Sequence, residues 1–191
     1  MSENRKAEAP PRQPRYAPGD LTGRQRLERI LRVDHAGEYG ARRIYEGQLA
    51  VLKRSASRPA IQRMWEQEAK HLDYFERALP DRRVRPTLLQ PLWHVAGFAL
   101  GAATAALGER AAMACTVAVE EVIDQHYASQ QDALGEDEPE LSASIAEFRA
   151  EELEHRDTGL AHEAEQAPAY PLLSAVIKAG SRAAIWLSER V

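Results

Sequence analysis

Two Glu-x-x-His pairs carry the most chemistry in this 191-residue chain: Glu68 with His71, and Glu152 with His155. On a helix, positions i and i+3 project from one side, about 60° apart around the axis. Each pair therefore offers one oxygen and one nitrogen donor toward a common point. One such pair means little, because glutamate-rich helices produce it by chance. Here each has a partner: Glu38 precedes Glu68 by 30 residues, and Glu120 precedes Glu152 by 32. The midpoints of those intervals are Lys53 and Glu136, and both fall where the sequence reads as a turn. Residues equidistant from the turn of an antiparallel hairpin lie at one height, here roughly 22 Å from it. The pattern is that of a duplicated hairpin, each copy supplying one glutamate and one Glu-x-x-His. Packed as a single bundle, the copies bring Glu38, Glu68, His71, Glu120, Glu152 and His155 to one level as candidate metal ligands.

Charge favours a metal over an empty core. Four clustered carboxylates without cations raise one another's pKa values and destabilise the fold, whereas two divalent cations neutralise them. Imidazoles beside glutamates favour iron or manganese over calcium or magnesium. This is the ligand set of the ferritin-like carboxylate-bridged dimetal proteins. Tyr127, seven residues after Glu120, shares its stripe and is either a proton or radical neighbour of the metals or a core phenol. Tyr127 and His126 are the candidate catalytic groups, His126 with the poorer angle. Asp34 and His35 share the face of Glu38. Asp34 is placed to orient a ligand imidazole, and His35 reads as an outer or core histidine. Glu66, Glu76, Glu147, Glu151 and Glu163 read as solvent-facing, Glu121 as structural or exposed, and Cys115 as a small core residue. No glycine-rich phosphate loop occurs, so no nucleotide-binding domain is expected.

Long helices must hold these groups. Alanine (33 residues) and leucine (19) dominate, while valine and isoleucine together number 16, which favours helix over sheet. Apolar residues recur at helical spacing over 21–52, a turn follows at 54–59, and further helices are expected over 60–78, 110–134 and 140–166. The expected fold class is all-α: a ferritin-like four-helix bundle with additional membrane-interfacial helices. Two stretches supply the additions. Residues 86–108 contain no Asp, Glu, Lys or Arg, follow Arg82, Arg83 and Arg85, and are interrupted by Pro91, Gly97 and Gly101. Residues 170–190 are amphipathic, with Leu173, Val176, Ile177, Gly180, Ala184 and Leu187 on one side. An interfacial pair of segments is the favoured reading, with Leu92 and Phe98 facing lipid. Helices that merely cap the core, and a true transmembrane span, are the alternatives.

Residues 1–20 hold four of the eleven prolines and read as a disordered tail ahead of a domain over 21–191. The tail has neither an apolar signal core nor the acid-poor composition of a transit peptide. A single cysteine excludes a disulfide framework or a thiolate cluster. Within a net charge of −4, residues 120–165 carry 15 acids against 2 bases, which excludes nucleic acid as a partner.

Several stretches go beyond spacing: Arg32-Val33-Asp34-His35-Ala36-Gly37-Glu38-Tyr39-Gly40-Ala41, Met64-Trp65-Glu66-Gln67-Glu68 through His71, and Arg85-Pro86-Thr87 with Pro91-Leu92-Trp93. Ala112 through Glu121, Glu151-Glu152-Leu153-Glu154-His155 and the ending Leu187-Ser188-Glu189-Arg190 join them. Together they resemble the membrane-associated diiron hydroxylases of ubiquinone biosynthesis, the demethoxyubiquinone hydroxylases, over about residues 22–191. The resemblance implies two iron ions on the same six residues. It also implies hydroxylation of a polyprenyl demethoxybenzoquinone with dioxygen and electrons from NADH. Residues 86–108 and the C-terminal helix would form the membrane-facing mouth for the quinone, with a lipid-binding accessory protein as partner. A peripheral protein on the cytoplasmic face of a bacterial inner membrane is expected, and self-association is left open. The competing readings are a ferritin-like ferroxidase, which needs a cage with a soluble exterior, and a membrane-bound scaffold with a structural metal.

Overall fold

Thr22 starts the first helix with a capping box: its hydroxyl accepts from the Gln25 N–H, and the Gln25 side chain accepts from the Thr22 N–H. In the computed structural model, which describes residues 20–135 and 137–191, this helix, α1, runs Gly23–Val51. The proline-rich tail before residue 20, and Glu136 in the second turn, lie outside the described residues. Then follow α2 (Arg58–Asp81), α3 (Gln90–Ala106), α4 (Glu109–Leu134), α5 (Pro139–Ala161), a 3-10 turn (Ala164–Gln166) and α6 (Tyr170–Ser188). Proline opens α2, α3, α5 and α6 within their first two positions, where its missing N–H costs nothing. Among the described residues there is no strand. The fold is all-helical, as composition required.

The α1–α2 and α4–α5 hairpins pack as a four-helix bundle, with contact denser inside each hairpin than between them. Two apolar clusters bracket the level of residues 38, 68–71, 120 and 152–155. Leu31, Phe75, Leu141 and Ile145 fill one end, and Ile61, Met64, Met113 and Val117 fill the other. The fourth long helix ends at Ala161 rather than near residue 166, because Glu163 turns the chain with φ of 59°.

α3 and α6 are additions to the bundle, as expected, and the glycines of α3 have a packing reason. A Cβ on Gly101 would lie 1.9 Å from the Ile44 carbonyl oxygen, and one on Gly47 would lie 2.2 Å from that of Phe98. α1 and α3 therefore cross with their backbones in contact, which only glycine permits. That crossing uses up α3's small-residue face, burying Gly97, Gly101, Thr104 and Ala105. Leu92 and Val95 are left 51% and 64% exposed. Phe98 departs from expectation, since its ring lies under the Arg43 guanidinium, 5.0 Å away. On α6 the inward face is Ser174, Ile177 and Ser188, and Gly180 and Ala184 face the cavity between α3 and α6, while Val176 points outward. Glu121 is structural: its carboxylate pairs with Lys178 and ties α6 to α4. Among the described residues, no helix is long and apolar enough to cross a membrane.

Candidate metal centre

Each arm of the bundle contributes one or two donors at the same height, and all six expected ligand residues are at most 3% exposed. Their donor atoms fall into two overlapping groups: Glu38, Glu68, His71 and Glu152, and Glu68, Glu120, Glu152 and His155. Within each group the donor atoms lie within 4.8 Å of one another. Glu68 and Glu152 belong to both, so the geometry provides two adjacent positions joined by shared carboxylates. His71 Nδ1 lies 3.3 Å from Glu38 Oε2 and 3.1 Å from Glu152 Oε1. His155 Nδ1 lies 3.3 Å from Glu68 Oε1 and 3.0 Å from Glu152 Oε2.

Of these contacts only His155 Nδ1 to Glu152 Oε2 is a hydrogen bond. Both oxygens of Glu68, Glu38 Oε2 and His71 Nδ1 are buried with no hydrogen-bond partner, although each is crowded by the others. Buried donors aimed at a shared point and satisfied by nothing in the protein are what a cation would complete. Protonation tells the same story. Burial and the charge of Glu152 push Glu68 and Glu120 well above the ordinary carboxylate range. Burial opposes the charged form of His71, but Glu38, Glu152 and Glu68 outweigh it and lift the imidazole to about 12. Burial likewise opposes Glu152, yet the hydrogen bond from His155 and the neighbouring His71 imidazole draw it down to about 2. The cluster borrows protons to offset its own charge. The residues fit two divalent cations.

A ring of hydrogen bonds orients the donors. Tyr127 donates from α4 to Glu38 on α1, and Tyr45 on α1 donates to Glu120 Oε1 on α4 at 2.8 Å. His71 Nε2 donates across to Glu151 Oε2 at 2.5 Å, and His155 Nε2 donates to Gln67 Oε1 at 3.1 Å. With Nε2 donating outward, Nδ1 is the nitrogen that each ring turns to the cluster, and it would bind a metal once the metal displaces its proton. Three of these partners escaped sequence reasoning. Tyr45 stands seven residues after Glu38, as Tyr127 stands after Glu120, so the duplication itself could have found it. Gln67 and Glu151 each directly precede a Glu-x-x-His, and Glu151 is not free in solvent as expected.

Other expectations shift. Asp34 does not hold a ligand imidazole, because the outer ring nitrogens of His71 and His155 are bonded by Glu151 and Gln67. Its Oδ1 accepts from Gln130 Nε2 at 2.6 Å, and burial raises its pKa. His126 is not brought to the carboxylates; it bonds Gln130 Nε2 at 2.8 Å and lines a separate cleft with Arg29 and Ser129. His35 is buried with Nδ1 unpartnered. Glu66, Glu76, Glu147 and Glu163 are exposed, and Cys115 is fully buried.

An apolar cavity of about 330 Å³ lies between α3 and α6, over a floor from α1 and α4. Its walls include Trp93, Gly97, Leu100, Ala184 and Ile185, and its floor includes Gly37 and Val119, the neighbours of Glu38 and Glu120. The Trp93 indole N–H donates to Ser188 Oγ at 3.0 Å and links the two walls.

A helical bundle with four glutamates and two histidines converging in its core defines the ferritin-like carboxylate class. The chain belongs to the family described as Ubiquinone biosynthesis protein COQ7, which matches residues 25–188. It is 62% identical over 175 residues to the 3-demethoxyubiquinol 3-hydroxylase of Rhodospirillum rubrum, covering 91% of this chain and 82% of that protein. It is 59% identical over 175 residues to the mitochondrial NADPH-dependent 3-demethoxyubiquinone 3-hydroxylase of Mus musculus, covering 90% and 81%. Against the mitochondrial 5-demethoxyubiquinone hydroxylase of Saccharomyces cerevisiae the identity is 41% over 182 residues, covering 86% and 78%. The chain is an enzyme.

Proposed function

We propose that this enzyme hydroxylates the quinone ring of a polyprenyl demethoxyubiquinone in ubiquinone biosynthesis. Two iron ions would be held by Glu38, Glu68, His71, Glu120, Glu152 and His155. The observation that carries the reading is the buried, partnerless donor cluster, accompanied by an apolar cavity lined by Gly37 and Val119, the chain neighbours of Glu38 and Glu120. Iron held there supplies the dioxygen reduction that ring hydroxylation requires. The chain's own residues do the rest. Small residues on α1 and α3 leave room for a flat ring, and the apolar walls exclude water from it. Tyr127 and Tyr45 hold Glu38 and Glu120 and keep a proton beside each. The Gln130 carboxamide donates to both Asp34 Oδ1 and His126 Nε2 and ties His126 on α4 to Asp34 on α1.

Exposed Leu92, Val95, Leu172, Val176 and Trp186 on α3 and α6 flank the same cavity. They support a membrane-surface enzyme whose prenyl substrate enters between these helices, on the cytoplasmic face of a bacterial inner membrane. Exposed Arg83 and Arg85 precede α3 as anchors for anionic headgroups, while Arg82 pairs with Glu138. A lipid-binding accessory protein is the partner that the resemblance implies. Electrons come from a reduced nicotinamide nucleotide. The resemblance implies NADH, whereas the mouse relative's name specifies NADPH, so oxidation of each by the purified enzyme with quinone decides between them.

Metal analysis and quinone mass spectrometry test the assignment together. Glu68→Ala or Glu152→Ala removes a carboxylate shared by both positions, so iron and hydroxylation disappear together and the demethoxy precursor accumulates in cells. Two irons retained in either variant would sink the ligand assignment. Unchanged quinones in cells lacking the enzyme would sink the function.

A further inference from the structure

The hydrogen bonds around the metal cluster cross from one hairpin to the other, and they do so in matched pairs. Tyr127, seven residues after Glu120, reaches Glu38; Tyr45, seven residues after Glu38, reaches Glu120. The residue before Glu152 accepts from His71, and the residue before Glu68 accepts from His155. An approximate two-fold axis thus relates the halves down to individual donors. At one matched pair the chemistry differs. The acceptor on His71 Nε2 is the carboxylate of Glu151, while the acceptor on His155 Nε2 is the carboxamide of Gln67. The two side chains have the same length and sit at equivalent positions, so what separates them is charge.

We propose that Glu151 is a positioning residue that makes the two metal positions unequal, giving the Glu38/His71 position the stronger nitrogen donor. The assignment rests on the metal-centre reading above. A carboxylate on the outer N–H of an imidazole pulls the proton outward and puts electron density on the inner nitrogen, whereas a carboxamide does so less. The contact lengths follow that order, 2.5 Å to Glu151 and 3.1 Å to Gln67. Among the described residues, the only ion pair Glu151 makes is with His71, so no lysine or arginine draws its charge away. The Glu38/His71 position therefore fills first and favours the higher metal charge, and the Glu120/His155 position is the more easily emptied.

The test uses the full chain stripped of metal, titrated anaerobically with ferrous iron. The wild type takes up two ions in two resolved steps. Replacing an outer partner of a ligand histidine changes metal affinity by about 10–100-fold, so E151Q weakens the tight step by that factor and leaves the other in place. Q67E does the reverse: it tightens the weaker step and brings the two constants together. One equivalent of cobalt(II) gives a single set of visible bands in the wild type and a mixture of two in E151Q, a signature that a purely structural role would not move. If E151Q fails to fold, Q67E alone carries the test. Constants within twofold of wild type in either folded variant, or both steps shifting equally, would overturn the proposal while leaving the metal centre intact. A wild-type chain that binds no iron overturns the metal-centre reading instead, and the first titration shows it.

Discussion

At the scale of single residues, the site is defined by what its donors lack. Glu68 has two buried oxygens and no hydrogen bond, an arrangement that costs the metal-free protein and that a cation relieves. Tyr45 and Tyr127 each give one hydroxyl to a ligand carboxylate, and a hydrogen bond to a charged group contributes about 1.5–3 kcal/mol. Tyr45→Phe and Tyr127→Phe are each expected to lower the urea stability of the metal-loaded enzyme by that amount and to loosen iron retention. A change under about 0.5 kcal/mol in both would show that these phenols only fill the core. Tyr127 was found in the sequence by its offset of seven from Glu120, and the same offset from Glu38 marks Tyr45. Glu151 was misread for a physical reason. A glutamate on a charged helix face looks solvated, and whether it reaches an imidazole on another hairpin depends on the spacing of α2 and α5.

At the scale of elements, α3 shows how one helix can serve two surfaces. Its glycines seat it directly on α1, and the residues left outside include Leu92 and Val95 and carry no Asp, Glu, Lys or Arg. Its 17 residues reach roughly 26 Å, less than a bilayer's hydrocarbon core. An orientation along a membrane surface suits that length and the parallel exposure of Leu172, Val176 and Trp186 on α6. Leu92→Asp combined with Val95→Asp is expected to cut flotation with anionic vesicles several-fold while iron content stays at the wild-type value. Unchanged flotation would remove the interfacial role. The sequence marked this segment by its missing charges. Which of its residues face outward was decided by the α1 crossing, which leaves Leu92 and Val95 exposed and Phe98 half-buried beneath Arg43.

At the scale of the whole molecule, the buried charge couples folding to pH and to metal. Glu68 and Glu120, raised by burial and by Glu152, bind protons more tightly folded than unfolded, and so does His71, lifted to about 12 by its carboxylate neighbours against burial. For such groups the folded state holds more protons, so stability falls as pH rises. The loss begins near the ordinary glutamate value of about 4.3 and continues above the ordinary histidine value of about 6.5. Glu152, held at about 2, works in the opposite sense, but only below the ordinary glutamate range. The metal-free enzyme should therefore melt at progressively lower temperature between about pH 5 and pH 9. The iron-loaded enzyme should hold or gain over the same range, because the metal displaces those protons. A metal-free melting temperature that climbs with pH would contradict the charge balance drawn for the cluster.

The sequence alone determined that the chain is helical, that it is built from a repeated hairpin, and which six side chains share a height. These are properties of spacing along a helix, and spacing is written in one dimension. Only the tertiary structure decided which hydroxyl meets which carboxylate, that Glu151 and Gln67 take the outer nitrogens of His71 and His155, that His126 stands apart, and which face of α3 stays exposed. Each of these depends on how closely two helices approach and how one is rotated against the other. Backbone contact at Gly47 and Gly101 sets that approach for α1 and α3, and no periodicity within a single helix encodes it.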